Sequence, residues 1–330
     1  MLPLGPQNYP ELPLLPLIFA FFFLCLPAIK AQSFDPPAGK EGSFAIAHNS
    51  PAIRLWASRV EELTRGPKNC TDQNSGRAIS GTAESALGAA LENGVLSLGD
   101  GGSVVLTFPV PLIDGPGPDF AVFENGFSDG FLELATVEVS SNGSNFFPFP
   151  CFSETQTETQ TGPFDTLDAR NLHNLAGKYR AGFGTGFDLS ELKGISQLDL
   201  SAVAFVRIRD VVGCLDPAFG TKDSQGRLIN DPWPTDFESG GFDLDAVAAL
   251  HVQENSLPQV WPSLLRAGEH FSFILRETAT EAILYAANGS IITRYPAGSG
   301  QTNRIPAGIQ AGIYFLGEPD RKKTRKIRVL

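Results

Sequence analysis

Glycine, proline, asparagine and aspartate divide this chain into short apolar runs, and this division limits the fold more than any other feature. Runs of roughly four to eight residues bounded by such turn residues are typical of β-strands. The predicted strands are Ser103–Phe108, Asp119–Glu124, Leu132–Ser140, Phe146–Phe149, Val203–Val211 and Phe242–His251. Many short strands with few helices predict an all-β fold, a sandwich or a jelly roll.

The segment from Glu133 to Ser140 shows the strand pattern clearly. Its residues alternate, so that side chains two apart share a face, as they do in a strand. The Asn142-Gly143 pair that follows tolerates the positive φ angles of a tight turn. We therefore predict a hairpin that returns into the Phe146–Phe149 run.

The clearest helix signal covers Pro51–Thr64. Ser50 can cap the first turn, Pro51 suits the first helical position, and Gly66-Pro67 would end the helix. Trp56, on this predicted helix, is expected to pack in the core.

Composition and charge exclude several classes of protein. The 330 residues are 42% hydrophobic and 18% charged, which is typical of a folded globular protein and not of a disordered one. A net charge of −11 argues against a nucleic-acid partner, whose phosphates are bound by Lys and Arg. The charge suits solubility, or carboxylates that hold divalent cations.

The first 31 residues are predicted to be a signal peptide, cleaved after Ala31. The proline-free core of the apolar run, Leu17–Leu26, is too short to span a bilayer as a helix and has the length of a secretory signal. Residues 2–16 depart from the usual pattern, because they contain no Lys or Arg. The mature protein is expected to have no transmembrane segment.

The cysteines predict an oxidised pair. Removal of the leader would leave Cys70, Cys151 and Cys214, and an odd count in an exported protein suggests one disulfide and one spare thiol. The spacing does not decide which two cysteines pair. No Cys-x-x-Cys pair is present, so a cysteine-ligated zinc site is not expected.

The chain divides into a leader (1–31), a body (32–254) and a C-terminal domain (255–330). The C-terminal motifs are Leu284-Tyr285 with Asn288-Gly289, Ile305-Pro306-Ala307-Gly308 and Ala311-Gly312-Ile313-Tyr314, followed by Lys322, Lys323 and Lys326 in or beside a closing basic strand. These motifs resemble the sorting domain of the type IX secretion system of Bacteroidetes-type bacteria, with Val260-Trp261-Pro262-Ser263 at its entrance. The resemblance implies a small immunoglobulin-like sandwich that the type IX secretion machinery recognises through residues 255–330. It also implies a secreted or outer-membrane, cell-surface location.

The body resembles a family of uncharacterised cell-surface jelly-roll proteins over most of residues 78–251. The resemblance rests on Phe123-Glu124-Asn125 and its flanks, on Phe205–Asp210, and on Gly241-Phe242-Asp243-Leu244-Asp245-Ala246-Val247. That family has no assigned activity to carry over.

The acidic residues of these motifs predict a calcium site. Asp243 and Asp245 are two apart on a predicted strand, so both carboxylates should face one side and repel unless a cation lies between them. Oxygen ligands of this kind suit Ca²⁺. The Gly-Phe-Asp-Leu-Asp-Ala-Val pattern also resembles the last strand of galactose-binding-like modules, which implies Asp245 as a ligand; Asp119, Glu124 and Asp210 at strand ends are further candidates. The alternative is that these acids bind backbone amides in turns.

No arrangement of residues predicts an enzyme. His48, His173, His251 and His270 stand apart in the sequence, and no Gly-x-Ser-x-Gly elbow is present. Glu124, Glu133 and Glu138 could supply the two carboxylates that a glycosidase needs, but their spacing in the sequence does not identify a catalytic pair.

Aromatic residues in loops are candidates for a ligand platform. Trp233 lies between two prolines near Phe237, and Tyr179 lies in a glycine-rich loop. Such rings bind the apolar face of a sugar, although Trp233 could equally anchor its own loop. The sequence therefore favours a non-catalytic module that binds a glycan or another surface ligand and holds Ca²⁺. The alternatives are a structural or adhesive surface protein and, less favoured, a carbohydrate-active enzyme.

Overall fold

A computed structural model describes Gly5 and residues 34–253, 260–261, 264–273, 281–296, 303–317 and 324–330. Apart from Gly5, the predicted leader and its cleavage site lie outside the described residues. The predicted boundary at 254–258 also lies outside them, as do Pro262, Ser263, Lys322 and Lys323 of the sorting motifs.

The body contains thirteen strands among the described residues, most of them short. The strands before residue 150 are β1 (Ile46–Ala47), β2 (Leu55–Trp56), β3 (Arg59–Thr64), β4 (Leu96–Ser97), β5 (Ser103–Leu112), β6 (Phe120–Glu124), β7 (Ala135–Ser140) and β8 (Phe147–Pro148). They are followed by β9 (Phe152–Ser153), β10 (Leu172–His173), β11 (Phe183–Phe187), β12 (Val203–Asp210) and β13 (Asp243–Ala249). Short 3₁₀ turns cover Ala83–Ala86, Ala169–Asn171 and Leu189–Leu192.

Two large antiparallel sheets and a separate β9–β10 pair form the body. One has the order β1-β11-β6-β13-β2 with β4 beside β13, and the other has the order β3-β5-β12-β7-β8. Side chains from both sheets form the main core, among them Phe120 and Val122 of β6, Val137 of β7 and Val206 of β12. The all-β sandwich prediction is confirmed.

Strand β6 is buried on both faces, which explains the unbroken apolar run Phe120–Phe123 within it. Phe120 and Val122 face the main core, whereas Ala121 and Phe123 pack with Trp56 in a second cluster on the other face of the sheet. Strands covered on two sides lose the alternation of polar and apolar residues.

The six predicted strands are confirmed, with ends that differ by a few residues. The predicted hairpin is also confirmed, because Glu138 pairs with Pro148 and Val139 with Phe147 across the turn. Gly143 in this turn has a φ of 74°.

The helix predicted over Pro51–Thr64 is wrong. Ser50 and Pro51 form a turn, with Ile53 N donating to Ser50 O at 3.1 Å, and the chain then enters β2 and β3. Strand β3 pairs with β5 in one sheet, while β2 pairs with β13 in the other. Pairing with these strands outweighs a local helical preference of a few tenths of a kcal/mol per residue, roughly. Trp56 does lie in the core, 3% exposed, but on a strand.

The C-terminal strands form separate sheets within the unit Phe34–Leu330. They are β14 (Val260–Trp261), β15 (Leu264–Leu265), β16 (His270–Phe273), β17 (Glu281–Ala286), β18 (Ile291–Pro296), β19 (Asn303–Arg304), β20 (Gly312–Gly317) and β21 (Thr324–Val329). One sheet has the order β14-β16-β19 and the other β15-β21-β20-β17-β18. Leu284, Tyr295 and Leu316 contribute to a core of their own. Over the described ranges, no helix has the length and apolarity needed to cross a membrane.

Candidate functional site

Asp119 immediately precedes β6, and its carboxylate joins three parts of the body. The residue is 0% exposed. Its Oδ1 accepts a hydrogen bond from Gly115 N at 2.8 Å and lies 2.8 Å from His251 Nδ1, while its Oδ2 accepts from Leu189 N at 2.7 Å. One side chain therefore holds the 114–119 loop, the segment that follows β13 and the 189–192 turn together.

Asp114 and Asp188 bring their carboxylates to the same place. One oxygen from each of Asp114, Asp119 and Asp188 lies within 4.8 Å of the other two. Asp114 is exposed and Asp188 is half-buried, and Asp188 Oδ1 accepts from Ser190 N at 2.9 Å, capping the turn. Burial raises the pKa of Asp119, although its hydrogen bonds from Leu189, His251 and Gly115 act in the opposite direction. We call Asp114, Asp119 and Asp188 the carboxylate triad.

The triad borders a cleft of about 1110 Å³. Asp114, Asp188 and His251 line this cleft together with apolar residues such as Phe44, which is 76% exposed. On the same lining, Lys178 Nζ lies 2.7 Å from Asp35 Oδ1. The cleft thus combines an apolar wall with charged groups.

Three of the other predicted calcium ligands, Glu124, Asp210 and Asp243, belong to a second set of carboxylates away from the triad. We call this set the second acidic group; its members are Asp100, Glu124, Glu133, Asp210, Asp231 and Asp243, all buried except Glu133, which is half-buried. Burial is the main reason that the pKa of each member is raised, and repulsion from other members adds to it for Glu124, Glu133, Asp210 and Asp231. For Asp243, burial raises the pKa to about 6.

Backbone amides hold several of these acids. Asp210 accepts from Phe242 N at 2.7 Å and from Gly101 N at 2.8 Å. Glu124 Oε2 accepts from Gly126 N at 2.8 Å. Glu124 Oε1 and Asp231 Oδ1 are buried and have no hydrogen-bond partner among the described residues.

Asp243 and Asp245 are bound by different segments. Asp243 accepts from the Ser97 hydroxyl, whereas both oxygens of Asp245 accept from Leu91 N at 3.1 and 3.0 Å. The pairing of β13 with β6 shifts register between Leu244 and Ala246, so Asp245 lies at a β-bulge. The bulge interrupts the two-residue period on which the shared-face prediction depends.

The three predicted platform residues do not form one surface. Tyr179 borders the cleft but is 3% exposed, and its hydroxyl donates to the Asp35 carboxylate. Trp233 is half-buried, and its indole binds Asp100. Phe237 is 44% exposed, with its ring centroid 5.8 Å from that of Phe164.

Cys70, Cys151 and Cys214 carry free thiols in this structure. Burial, with the nearby Asp100 and Cys214, raises the pKa of Cys70 to about 12. Cys151 interacts instead with Ser224, whose hydroxyl accepts from Cys151 N at 2.9 Å. Cys70 and Cys214 are therefore the electrostatically neighbouring pair.

Three residues of the cleft were not predicted as site residues: Asp114, Asp188 and His251. Asp188 carries a visible signal, since an Asp before Leu-Ser-Glu is typical of a turn cap. His251 and Asp119 are 132 positions apart, and no local pattern links them.

Comparisons with known proteins identify no family. No protein-family model matches the chain, and no curated protein matches it. Among solved structures, the chain is similar to a "Biofilm associated protein - BSP domain", with a TM-score of 0.18 and 12% sequence identity. That match covers 77% of this chain and 53% of the other, so the chain spans about half the length of that structure. At this TM-score the similarity supports no inference about function.

Proposed function

We propose that the chain is an exported surface or extracellular protein whose body is a non-catalytic ligand-binding module. The ligand is a glycan or another surface molecule, bound in the cleft beside the carboxylate triad. Ca²⁺ held by the triad would stabilise the module. The export and sorting role belongs to residues 255–330.

The cleft is the observation that carries this proposal. Its volume of about 1110 Å³ slightly exceeds the usual range of small-molecule sites, roughly 300–1000 Å³. Phe44 offers an exposed apolar face at one wall, and Asp114, Asp188 and His251 offer polar groups at another. A sugar presents the same combination, an apolar ring face and hydroxyl groups at its edge.

The triad suits Ca²⁺ through its donor chemistry. Ca²⁺ binds roughly six to eight oxygens, and Asp114, Asp119 and Asp188 supply hard carboxylate oxygens that lie within 4.8 Å of one another. Water, main-chain carbonyls or ligand hydroxyls would complete the shell. The ion would neutralise the charge of Asp119, a buried carboxylate.

The roles of the triad residues favour binding over catalysis. A general acid or base must reach the reacting atom of a substrate. Asp119 is 0% exposed and already accepts from two backbone amides, and Asp188 caps a turn. Both acids therefore have structural duties that explain their positions.

The sorting motifs, together with the strands that carry them, support export. Asn288-Gly289 lies in the turn between β17 and β18, and Gly289 has a φ of 82°. Strand β21 contains Arg325, Lys326 and Arg328 and pairs with β20, which contains Ile313-Tyr314. A turn of this kind followed by a closing basic strand is the pattern that the sorting resemblance implies.

A calcium and glycan experiment tests the proposal. The full-length chain would be screened on a glycan array with Ca²⁺ or with EDTA, and melted under both conditions. Ca²⁺ at 100 times its Kd would add about 2.7 kcal/mol to the free energy of unfolding. We expect EDTA to lower both the melting temperature and glycan binding.

Asp188→Asn and Asp216→Asn form a matched pair for this experiment. Each aspartate accepts one backbone amide at 2.9 Å, from Ser190 and Ala218 respectively, but Asp216 lies outside the triad. Asp188→Asn should abolish the effect of EDTA, and Asp216→Asn should preserve it. A metal-replete sample that EDTA leaves unchanged would remove calcium from the proposal. An array without any bound glycan would favour the structural or adhesive alternative.

A further inference from the structure

A second pocket, of about 280 Å³, combines phenylalanine rings with carboxylates. We call it the aromatic pocket; Phe127, Phe131, Phe164, Phe237, Glu133 and Asp243 line it. The rings form two pairs, with centroids 5.3 Å apart for Phe127–Phe131 and 5.8 Å apart for Phe164–Phe237.

Exposure differs sharply between the rings and the acids. Phe127 is 81% exposed, Phe164 73% and Phe237 44%, whereas Asp243 is 7% exposed and Glu133 is half-buried. Three of the four rings, those of Phe127, Phe164 and Phe237, therefore lie at the mouth of the pocket, and Asp243 lies deeper. Large exposed apolar side chains that cluster in this way mark binding surfaces.

The aromatic pocket has two carboxyl groups on its lining, Glu133 and Asp243, and no basic side chain beside them: no Lys, Arg or His is among the described residues that line it. The buried Glu124 lies close enough to Glu133 and Asp243 for repulsion between the carboxylates, and its Oε1 has no partner among the described residues.

The basic group that acts on Asp243, Arg65, is hydrogen-bonded to main-chain carbonyls. Arg65 interacts electrostatically with Asp243, but its guanidinium donates to the carbonyls of Ser80, Ser97 and Gly81 at 2.6–2.7 Å. Arg65 therefore acts on Asp243 through its charge at a distance, and no described basic residue forms a salt bridge with Glu133 or Asp243.

We propose that the aromatic pocket binds an ammonium group carried on a short apolar stem. The ammonium would pair with Glu133 and Asp243, and the faces of the phenylalanine rings would attract the same charge and cover the stem. A pocket of this size holds one such group. The site and the ligand class are distinct from those of the cleft, so this inference goes beyond the proposed function.

Two other ligand classes fit less well. Phenyl rings provide no oxygen ligands for a metal ion, and the three-carboxylate group that meets metal distances in the described chain is the triad at the cleft. A neutral sugar would leave the carboxylates without a counter-charge, which is costly at a buried site.

Titration calorimetry with n-butylammonium and its neutral analogue n-butanol tests the inference. The full-length chain should bind n-butylammonium at least about tenfold more tightly than n-butanol, because of its ion pair. Glu133→Gln should remove most of that preference. Phe237→Ala should weaken n-butylammonium binding about two- to fivefold.

Phe219→Ala is the matched control for Phe237→Ala. Phe219 is 42% exposed, close to the 44% of Phe237, and lies outside the aromatic pocket. This control should bind n-butylammonium like the unaltered chain. Phe127→Ala alters the most exposed ring and should not affect folding, so it provides a second variant of the aromatic pocket. Melting curves check that all variants are folded.

Several results would overturn the inference. Equal affinity for n-butylammonium and n-butanol would show that the aromatic pocket binds only the apolar stem and does not recognise the ammonium charge. Absence of n-butylammonium binding, with Ca²⁺ binding that Glu133→Gln removes, would assign a metal site. Glycan binding that Glu133→Gln and Phe237→Ala abolish, without n-butylammonium binding, would assign a sugar site.

Discussion

The indole Nε1 of Trp233 donates a hydrogen bond of 3.0 Å to Oδ2 of Asp100, a carboxylate that is 6% exposed. The same oxygen accepts from Cys70 N at 2.8 Å. Trp233 thus anchors the loop before β13 to the segment between β4 and β5. This hydrogen bond gives Trp233 a structural role that does not depend on any ligand.

Trp233→Phe should therefore destabilise the fold. The substitution removes the indole donor from a buried acid, and loss of such a bond costs about 1–3 kcal/mol. Urea unfolding should show this loss, while the affinity for any glycan found on the array stays unchanged. Full stability with lost glycan binding would instead identify Trp233 as the ligand platform.

Asp245→Asn should flatten the pH dependence of stability in metal-free buffer. Burial raises the pKa of Asp245 from 3.8 to about 6, so the folded chain keeps a proton that the unfolded chain releases. The free energy of unfolding should fall as pH rises from about 4 to about 6, by at most ~3 kcal/mol for this group. Asparagine can still accept from Leu91 N but does not titrate.

Urea unfolding at intervals between pH 4 and pH 7, with EDTA present, measures this effect. Asp72→Asn serves as the control, since Asp72 is exposed and also accepts one backbone amide, from Asn74 at 2.8 Å. Equal pH profiles for the two variants would contradict the prediction.

Gly115→Ala should disturb the carboxylate triad. A Cβ at this position would lie 2.5 Å from Cγ of the His251 ring, too close without a shift of the loop or the ring. We expect a loss of about 1–3 kcal/mol in the free energy of unfolding, together with weaker Ca²⁺ binding in a calorimetric titration. Gly308→Ala, whose added Cβ meets no atom within 4 Å, should change neither quantity.

Oxidation should join Cys70 to Cys214 and leave Cys151 as a thiol. Cys214 contributes electrostatically to the raised pKa of Cys70, whereas Cys151 N donates to the Ser224 hydroxyl at 2.9 Å. Peptide mass mapping without reductant identifies the pair. A disulfide typically adds about 2–4 kcal/mol, so Cys70→Ser should lower the stability of the oxidised protein and Cys151→Ser should not lower it through loss of a crosslink. A mapped Cys151 disulfide would refute this pairing.

Deletion of residues 255–330 should retain the body in the periplasm of a host that has type IX secretion. Cell fractionation and immunoblotting, with a periplasmic marker to detect lysis, measure its location. The full chain should reach the surface or the medium. Export of the truncated chain would overturn the sorting assignment.

Strand prediction succeeded where local sequence and tertiary position agree. β7 and β12 carry the expected alternation or apolar run, and Asn142-Gly143 closes the hairpin after β7. The failure at Pro51–Thr64 has a clear cause. Ser50 and Pro51 form a turn, as their local signals suggest. The residues that follow pair instead with β5 and β13, strands that are distant in sequence.

The acids predicted as one calcium site lie at different places in the structure for the same reason: local sequence does not specify which strands pair. Asp243 and Asp245 share a face in an ideal strand, and the bulge between Leu244 and Ala246 separates them. Asp119, Asp210 and Glu124 do lie at strand ends, as predicted. Which end of the sandwich each one reaches depends on sheet order, and local spacing carries no information about that order.

The sequence by itself determined the all-β class, six strands of the body and the acidic character of the motif residues. These properties depend on period, turn residues and charge, all of which are local. Tertiary structure alone decided that Asp119 meets Asp114, Asp188 and His251 beside a cleft, and that Glu133 and Asp243 line one pocket with four phenylalanine rings. Such meetings depend on how sheets pair and stack, because side chains far apart in sequence converge only when the strands that carry them are neighbours.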